Sequence, residues 1–232
     1  MALIVRIDVD RPYGKHPITR HLLSRISSDL YFPKVEAFGY LDELKKMLLL
    51  LNERKARSYV FFRQCTLPSE PILRLMEEGS HEIGLHLENS RSFETFLAEK
   101  QTLESHVGKP VLSMSKHGSG VFKYGRRHYA PYEMDRYIDW ARRVHMKTIF
   151  GNLEDPSITP LDEAGGLVCF PSAFWLEPHW RNTMKFPDDW LFTQARERDT
   201  VLLVHPENVL ENPRISQSFI RMIDDIETKI LP

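Results

Sequence analysis

Asp8 and Asp10 stand one residue apart where the apolar run Ala2 to Val9 stops and the chain breaks at Arg11-Pro12. In an extended strand alternate residues share a face, and a residue before proline is pushed away from helix, so both carboxylates point the same way from a strand end. One of two such carboxylates can bind a cation while the other, kept ionised beside it, acts as a base. The plainer alternative is a polar strand end in which Asp10 caps a turn. His86 closes Glu82-Ile83-Gly84-Leu85, with Glu88 close behind, and imidazole plus carboxylate is a normal ligand set for Zn2+ and similar divalent ions. His205 closes Val201-Leu202-Leu203-Val204, a buried-strand pattern delivering one polar side chain, and Glu207 or a backbone carbonyl is placed to orient its ring. His117 lies in Lys116-His117-Gly118-Ser119-Gly120, where the glycines permit unusual dihedrals and close backbone approach. His81 begins the run that His86 ends, so it belongs at the far end of that strand, away from this chemistry.

The elements that must position these residues follow from hydrophobic periodicity. Strand patterns cover Ala2 to Asp8, Arg57 to Arg63, Glu82 to His86, Val111 to Ser115, Lys147 to Phe150, Leu167 to Phe170 and Thr200 to His205. Helical patterns cover Tyr40 to Lys55, Glu70 to Glu78, Ser92 to His106, Glu133 to Val144, Asp188 to Asp199 and Ser216 to Ile230, with Ser69 and Ser92 as N-cap candidates. This alternation predicts a parallel sheet, and seven such units favour a closed or nearly closed α/β barrel, in one domain over 1–232, above an open doubly wound sheet. Functional groups of such folds gather at the C-terminal ends of the strands, where Asp8, His86 and His205 fall. Pro12 to Gly39 and Leu153 to Gly166 break the alternation and are expected to be loops or insertions near the mouth of the site.

Composition narrows the partners. The 31 basic and 32 acidic side chains nearly cancel, which gives no argument for nucleic acid or an anionic membrane. No window has the roughly 18 continuous apolar residues of a membrane span, and the first residues lack the form of a signal peptide, so a cytoplasmic location is expected. Cys65 and Cys169 lack the spacing of a zinc knuckle or redox pair. The aromatic residues Phe170, Phe174, Trp175 and Trp180 read either as packing or as a platform for the apolar face of a sugar ring. The basic run Lys123 to His128 reads as a solvated loop that can also reach a substrate phosphate.

The set Asp8-x-Asp10, His-Glu-Ile-Gly-Leu-His ending at His86, and Leu-Leu-Val-His-Pro-Glu containing His205 resembles the polysaccharide deacetylase, or NodB-homology, family over essentially the whole chain. The resemblance implies an irregular (β/α)7 barrel and one divalent metal, usually zinc, held by one Asp and two His. It also implies hydrolysis of N-acetyl groups from amino sugars. Carried over, it makes Asp8 the general base, Asp10 and His86 metal ligands and His205 the general acid. Arg11, beside Asp10, and Trp175, in the aromatic run, are candidate substrate contacts. Two positions depart from the pattern: Ser90 stands where the second metal His is usual, and His117 stands where an Arg is usual. Either His117 has become a metal ligand or a partner of Asp8, or Glu88 completes the metal shell, or metal binding is impaired. His117 is preferred, because a strand neighbouring that of His86 can bring the two imidazoles together. The expected substrate is a small sugar, a nucleotide sugar or a lipid-linked saccharide. The alternatives are an amidohydrolase acting on a non-sugar amide and an inactive barrel that binds a glycan or a protein.

Overall fold

The computed structural model describes residues 1–15, 17–31, 34–120, 122–163, 165–178 and 187–231. All seven expected strands form: β1 (Leu3–Val9), β2 (Ser58–Phe62), β3 (Glu82–Leu87), β4 (Ser113–Lys116), β5 (Thr148–Leu153), β7 (Leu167–Ser172) and β9 (Thr200–Val204), joined by the short β6 (Leu161–Glu163) and β8 (Phe174–Trp175). The strands lie in the order β6-β7-β5-β4-β3-β2-β1-β9-β8, every pairing parallel except β6 with β7. That order forces the sheet to curl. β7 lies beside one edge and β8 forms the other, yet Ala173 alone separates them, so the end of β7 and the start of β8 lie within about 7 Å of each other. Ala173 N–H donates to Leu153 O and Leu176 N–H to Leu203 O, tying the crossing to both sides.

Strand parity then divides the core. Leu3, Val5, Ile7 and Val9 face outward with Val60, Phe62, Leu85, Leu202 and Val204, under the helices α2 (Asp42–Glu53), α3 (Glu70–Glu78), α4 (Phe93–Val107), α5 (Met134–Arg143), α6 (Asp188–Glu197) and α8 (Pro213–Asp225). Ile4, Tyr59, Phe61, Phe150, Phe170, Val201 and Leu203 fill the barrel interior. Gly84 is required on this inner face, because a Cβ there would stand 2.2 Å from the Phe61 ring.

Above the aromatic layer the interior holds a charge. Arg6 is completely buried and grips Asp8 with two bonds, Nε to Oδ1 at 2.9 Å and Nη2 to Oδ2 at 2.6 Å. Its remaining donors reach Gly151 O at 2.7 Å and Asn152 Oδ1 at 2.9 Å, and its guanidinium lies over the Phe61 ring. Asn152 passes the connection on, donating to Lys116 O and Gly118 O at the end of β4.

Two segments differ from expectation. Pro12 to Gly39 contains α1 (Ile18–Leu30), and a short 3-10 turn follows it. The helix escaped the periodicity test because its polarity is inverted: Ser24 and Ser27 are buried, whereas Ile18, Leu22, Ile26 and Leu30 are exposed. Ser24 Oγ takes Tyr13 N–H and donates to Gly14 O, which anchors the serine face. Leu153 to Gly166 contains β6, and Pro206–Glu211 forms the added helix α7. Ser92 caps α4 through Thr95 N–H as expected, but the Ser69 hydroxyl makes no cap bond. Trp180, one of the candidate platform residues, lies outside the described residues. Among the described residues, no helix is long and apolar enough to cross a membrane.

Two predictions test this packing. His81 sits at the start of β3, where its Nδ1 accepts from Ser58 N–H and its Nε2 meets Asn52 Oδ1 at 2.7 Å, a pairing suited to neutral imidazole. Burial pushes this His down to about 4. The folded value lies below the unfolded one of about 6.5, so its stability is present above pH ~6.5 and drains away as pH falls towards 4. Between pH 7.5 and 5, wild type should lose about 2 kcal/mol more than His81→Gln in urea unfolding. Equal losses would contradict a neutral buried His81. Arg6→Met should cost about 3 kcal/mol or more by stranding the Asp8 charge, and Arg6→Met/Asp8→Leu should recover much of it. A wild-type denaturation midpoint for Arg6→Met would show that the pair does not hold the interior together.

Candidate active site

Asp10 lies just past β1 and carries its strand's inward parity one step beyond Asp8, into the mouth of the barrel. His86 reaches the same mouth from β3, where it pairs in register with Ser115 of β4. Its Nδ1 meets Ser115 Oγ at 2.7 Å, and with the proton on Nδ1 the Nε2 lone pair faces Asp10. His117 immediately follows β4, and its N–H donates to Leu87 O, extending the β3–β4 ladder by one bond. Its carbonyl is fixed from the other side by Lys116 Nζ at 2.6 Å and His128 Nε2 at 2.8 Å. His205 follows β9, and its N–H donates to Glu177 Oε1.

Three of these side chains converge on one point. Asp10 Oδ1 lies 3.1 Å from His86 Nε2 and 2.9 Å from His117 Nδ1, and the two ring nitrogens are 3.2 Å apart. A tetrahedral Zn2+ site with ligands at about 2.0–2.1 Å has ligand-to-ligand edges of about 3.3 Å, so this triangle fits three corners to within a few tenths of an ångström. Asp10 Oδ1 is buried and has no hydrogen-bond partner, which costs free energy unless a cation satisfies it. Burial, reinforced by Arg63, pushes His117 well below the usual imidazole range, despite Asp10 beside it, so the ring is neutral, the form that donates a lone pair. The donor set Asp, His, His therefore fits a divalent ion.

Two further groups flank the triangle. Asp8 Oδ2 lies 3.7 Å from His86 Nε2. Burial raises the Asp8 carboxyl, but Arg6, His86 and His205 outweigh it and hold it below the usual carboxylate value. Asp10 is raised by burial as well, yet the protonated His205 beside it holds it well below the usual carboxylate value. On the opposite side His205 Nε2 approaches Asp10 Oδ2 at 3.2 Å, while its Nδ1 meets Glu177 Oε1 at 2.7 Å. Burial would lower His205, but Glu177 and Asp10 raise it well above the ordinary value, so the ring is protonated between two carboxylates.

The sequence expectations for Glu88 and Glu207 need correction. Glu88 is fully buried and its Oε1 is spent on Arg63 Nη2 at 2.6 Å, leaving the cluster of possible ligand atoms to Asp10, His86 and His117. Glu207 faces Arg11 at 3.4 Å, and Glu177 takes the orienting place beside His205. Ser90 turns to Tyr137, its Oγ 3.1 Å from the phenol oxygen. Sequence reasoning missed Arg6, Asn152 and Glu177. Arg6 had a signal, a lone cation of the same strand parity as Asp8 inside an apolar run. Glu177 follows β8 and had none.

The groups open into a cleft of about 300 Å³ whose walls include Arg11, Trp175 and Tyr124, so both expected substrate contacts reach it. Arg11 also meets His21 Nδ1 at 3.1 Å, and Trp175 leans on Leu153 O through its indole N–H.

No family model matches the chain, and no curated protein matches it. Among solved structures, Puue allantoinase aligns with 96% of this chain and 83% of its own at 15% identity, with a TM-score of 0.58. A Parabacteroides distasonis protein provisionally described as a glycoside hydrolase/deacetylase aligns with 97% of this chain and 65% of its own at 8% identity and a TM-score of 0.53. The chitin deacetylase of Colletotrichum lindemuthianum aligns with 98% of this chain and 84% of its own at 9% identity, with a TM-score of 0.49. At such identities the likeness is one of fold: the chain takes the α/β barrel shared by the first two structures, the architecture that its resemblance to the polysaccharide deacetylases implied.

Proposed function

We propose that the protein is a metal-dependent hydrolase that removes an N-acetyl group from an amino sugar or glycan precursor. The observation that carries this reading is the meeting of Asp10 Oδ1, His86 Nε2 and His117 Nδ1 within 3.2 Å, between an ionised Asp8 and a protonated His205. Asp10, His86 and His117 would hold one divalent ion, Zn2+ being the best match to two imidazoles and a carboxylate. When bound, such an ion polarises an amide carbonyl and acidifies water.

The chain's own groups divide the proton work. Asp8, fixed by two bonds from Arg6, accepts the proton of the attacking water, and its rigid hold keeps the receiving oxygen in one place. His205 donates the proton that an amide nitrogen needs in order to leave, since an unprotonated amine anion is a poor leaving group. Glu177 fixes the imidazole through Nδ1, and that leaves the Nε2 proton directed toward the cleft side of Asp10. Trp175 offers an aromatic face at the cleft wall on which a sugar ring can rest. Water enters, one C–N bond breaks, and acetate and a free amine leave.

A second reading, hydrolysis of a non-sugar amide, keeps the same residues and changes only the substrate. It is retained because one structure of the same fold bears the name allantoinase.

The test is turnover of zinc-reconstituted protein on N-acetyl amino sugars, read as acetate released, against small linear and cyclic amides, read as ammonia release or ring opening. The de-N-acetylase reading expects acetate from the sugars, with Asp8→Asn and His205→Ala each lowering turnover by about 10² or more while circular dichroism stays unchanged. Wild-type turnover in either variant removes that residue from the mechanism, and activity confined to non-sugar amides replaces the first reading with the second.

A further inference from the structure

Beside the catalytic cleft lies a larger cavity of about 670 Å³, and the two share Asp10, Arg11, His117 and Tyr124 as walls. One side of this cavity is α1, contributing His21, Ser24, Arg25 and Ser28; the other is the loop Lys123 to Arg126. The loop is held against the helix by Arg126 N–H donating to Asp29 Oδ1 at 2.7 Å and by the Arg127 guanidinium lying 4.0 Å from the Tyr31 ring centre.

The charges of the lining are unbalanced. Arg11 and Arg63 are committed, to Glu207 and His21 in one case and to Glu88 and the Asp10 carbonyl in the other. Of the lining acids, Asp10 belongs to the ligand triangle and Asp29 receives the Arg126 backbone. Arg25, Lys123 and Arg126 form no ion pair among the described residues, although all three line the cavity. Two arginines and a lysine that line one cavity from two elements, all three exposed, make a surface for an anion, and the planar forks of the arginines suit phosphate oxygens in particular.

We propose that this cavity is a subsite for a phosphate group carried by the substrate, bound by Arg25, Lys123 and Arg126 while the amide reaches the adjoining Asp10–His86–His117 centre. The substrate class is then a phosphorylated or nucleotide-linked amido sugar in preference to a neutral glycan, an inference that rests on the hydrolase reading of the cleft. The three cations act as a clamp that selects the substrate and fixes its distance from the cleft; they do not touch the bond that breaks.

Inorganic phosphate is the probe, titrated calorimetrically into the full chain at low salt, with acetate as a comparison anion. Wild type should bind phosphate with a Kd of about 1 mM or tighter, more weakly as salt rises, and more tightly than acetate. Arg25→Gln/Lys123→Gln/Arg126→Gln should weaken phosphate about tenfold or more, whereas Arg25→Lys/Arg126→Lys, which keeps the charges, should bind more like wild type. His86→Ala should leave phosphate binding intact, because it alters the ligand triangle and not the clamp. Retention there together with loss in the triple glutamine variant supports the subsite even if the protein proves to hold no metal, which separates this inference from the reading it extends. It is overturned by any of three results: no phosphate binding by wild type, binding unchanged in the folded triple variant, or binding that disappears in His86→Ala.

Discussion

Everything at the mouth of this barrel depends on the buried pair of Arg6 and Asp8. A guanidinium with no exposure to water is tolerable only when its donors are met, and here they meet both Asp8 oxygens, a backbone carbonyl and an amide side chain. That requirement reaches across the barrel, because Gly151 and Asn152 belong to β5 while Arg6 and Asp8 belong to β1. Asn152 in turn fixes the Lys116 and Gly118 carbonyls that bracket His117. One polar network therefore sets the position of Asp8, the end of β4 and the loop that begins at His117. The aromatic layer of Phe61, Phe150 and Phe170 beneath it keeps water out, which strengthens each of those bonds.

The two departures from the deacetylase pattern find a common physical account in this arrangement. The pattern calls for an arginine from the region of His117 and for a histidine at the position of Ser90. In this chain Arg6 supplies a cation to Asp8 from the same strand, and the His117 ring stands against Asp10 and His86. Strand ends facing one barrel mouth are close in space whatever their separation in sequence, so a required group can come from any of them. Both groups are needed where they stand, since without Arg6 the Asp8 charge would be stranded and without His117 the ligand triangle would hold one imidazole.

The sequence was informative wherever burial and parity spoke together. All seven principal strands showed as apolar β-branched runs, and Asp8, Asp10, His86 and His205 could be placed on one end because each sits at or just past the last residue of such a run. The curl that brings the two sides of the sheet together was harder to see, for it turns on Ala173, a single residue between two strands, one of them only two residues long. Helix α1 was illegible because its buried face is serine and its exposed face is isoleucine and leucine, the reverse of what periodicity tests assume. Glu177 could not be found from local pattern either, since its pairing with His205 spans α6 and β9. Glu88 misled by proximity: two residues from His86 along a strand end is near in sequence, but its carboxylate is turned to Arg63.

The central claim is that Asp10, His86 and His117 hold one divalent ion. The most direct test is the metal content, by mass spectrometry, of protein purified without chelator or metal-affinity resin and then reconstituted with zinc. Wild type and Glu88→Ala should carry close to one ion per chain, and His86→Ala and His117→Ala should carry little. A wild type that stays empty after reconstitution, or a His117→Ala variant that keeps its metal while Glu88→Ala loses it, would contradict the account.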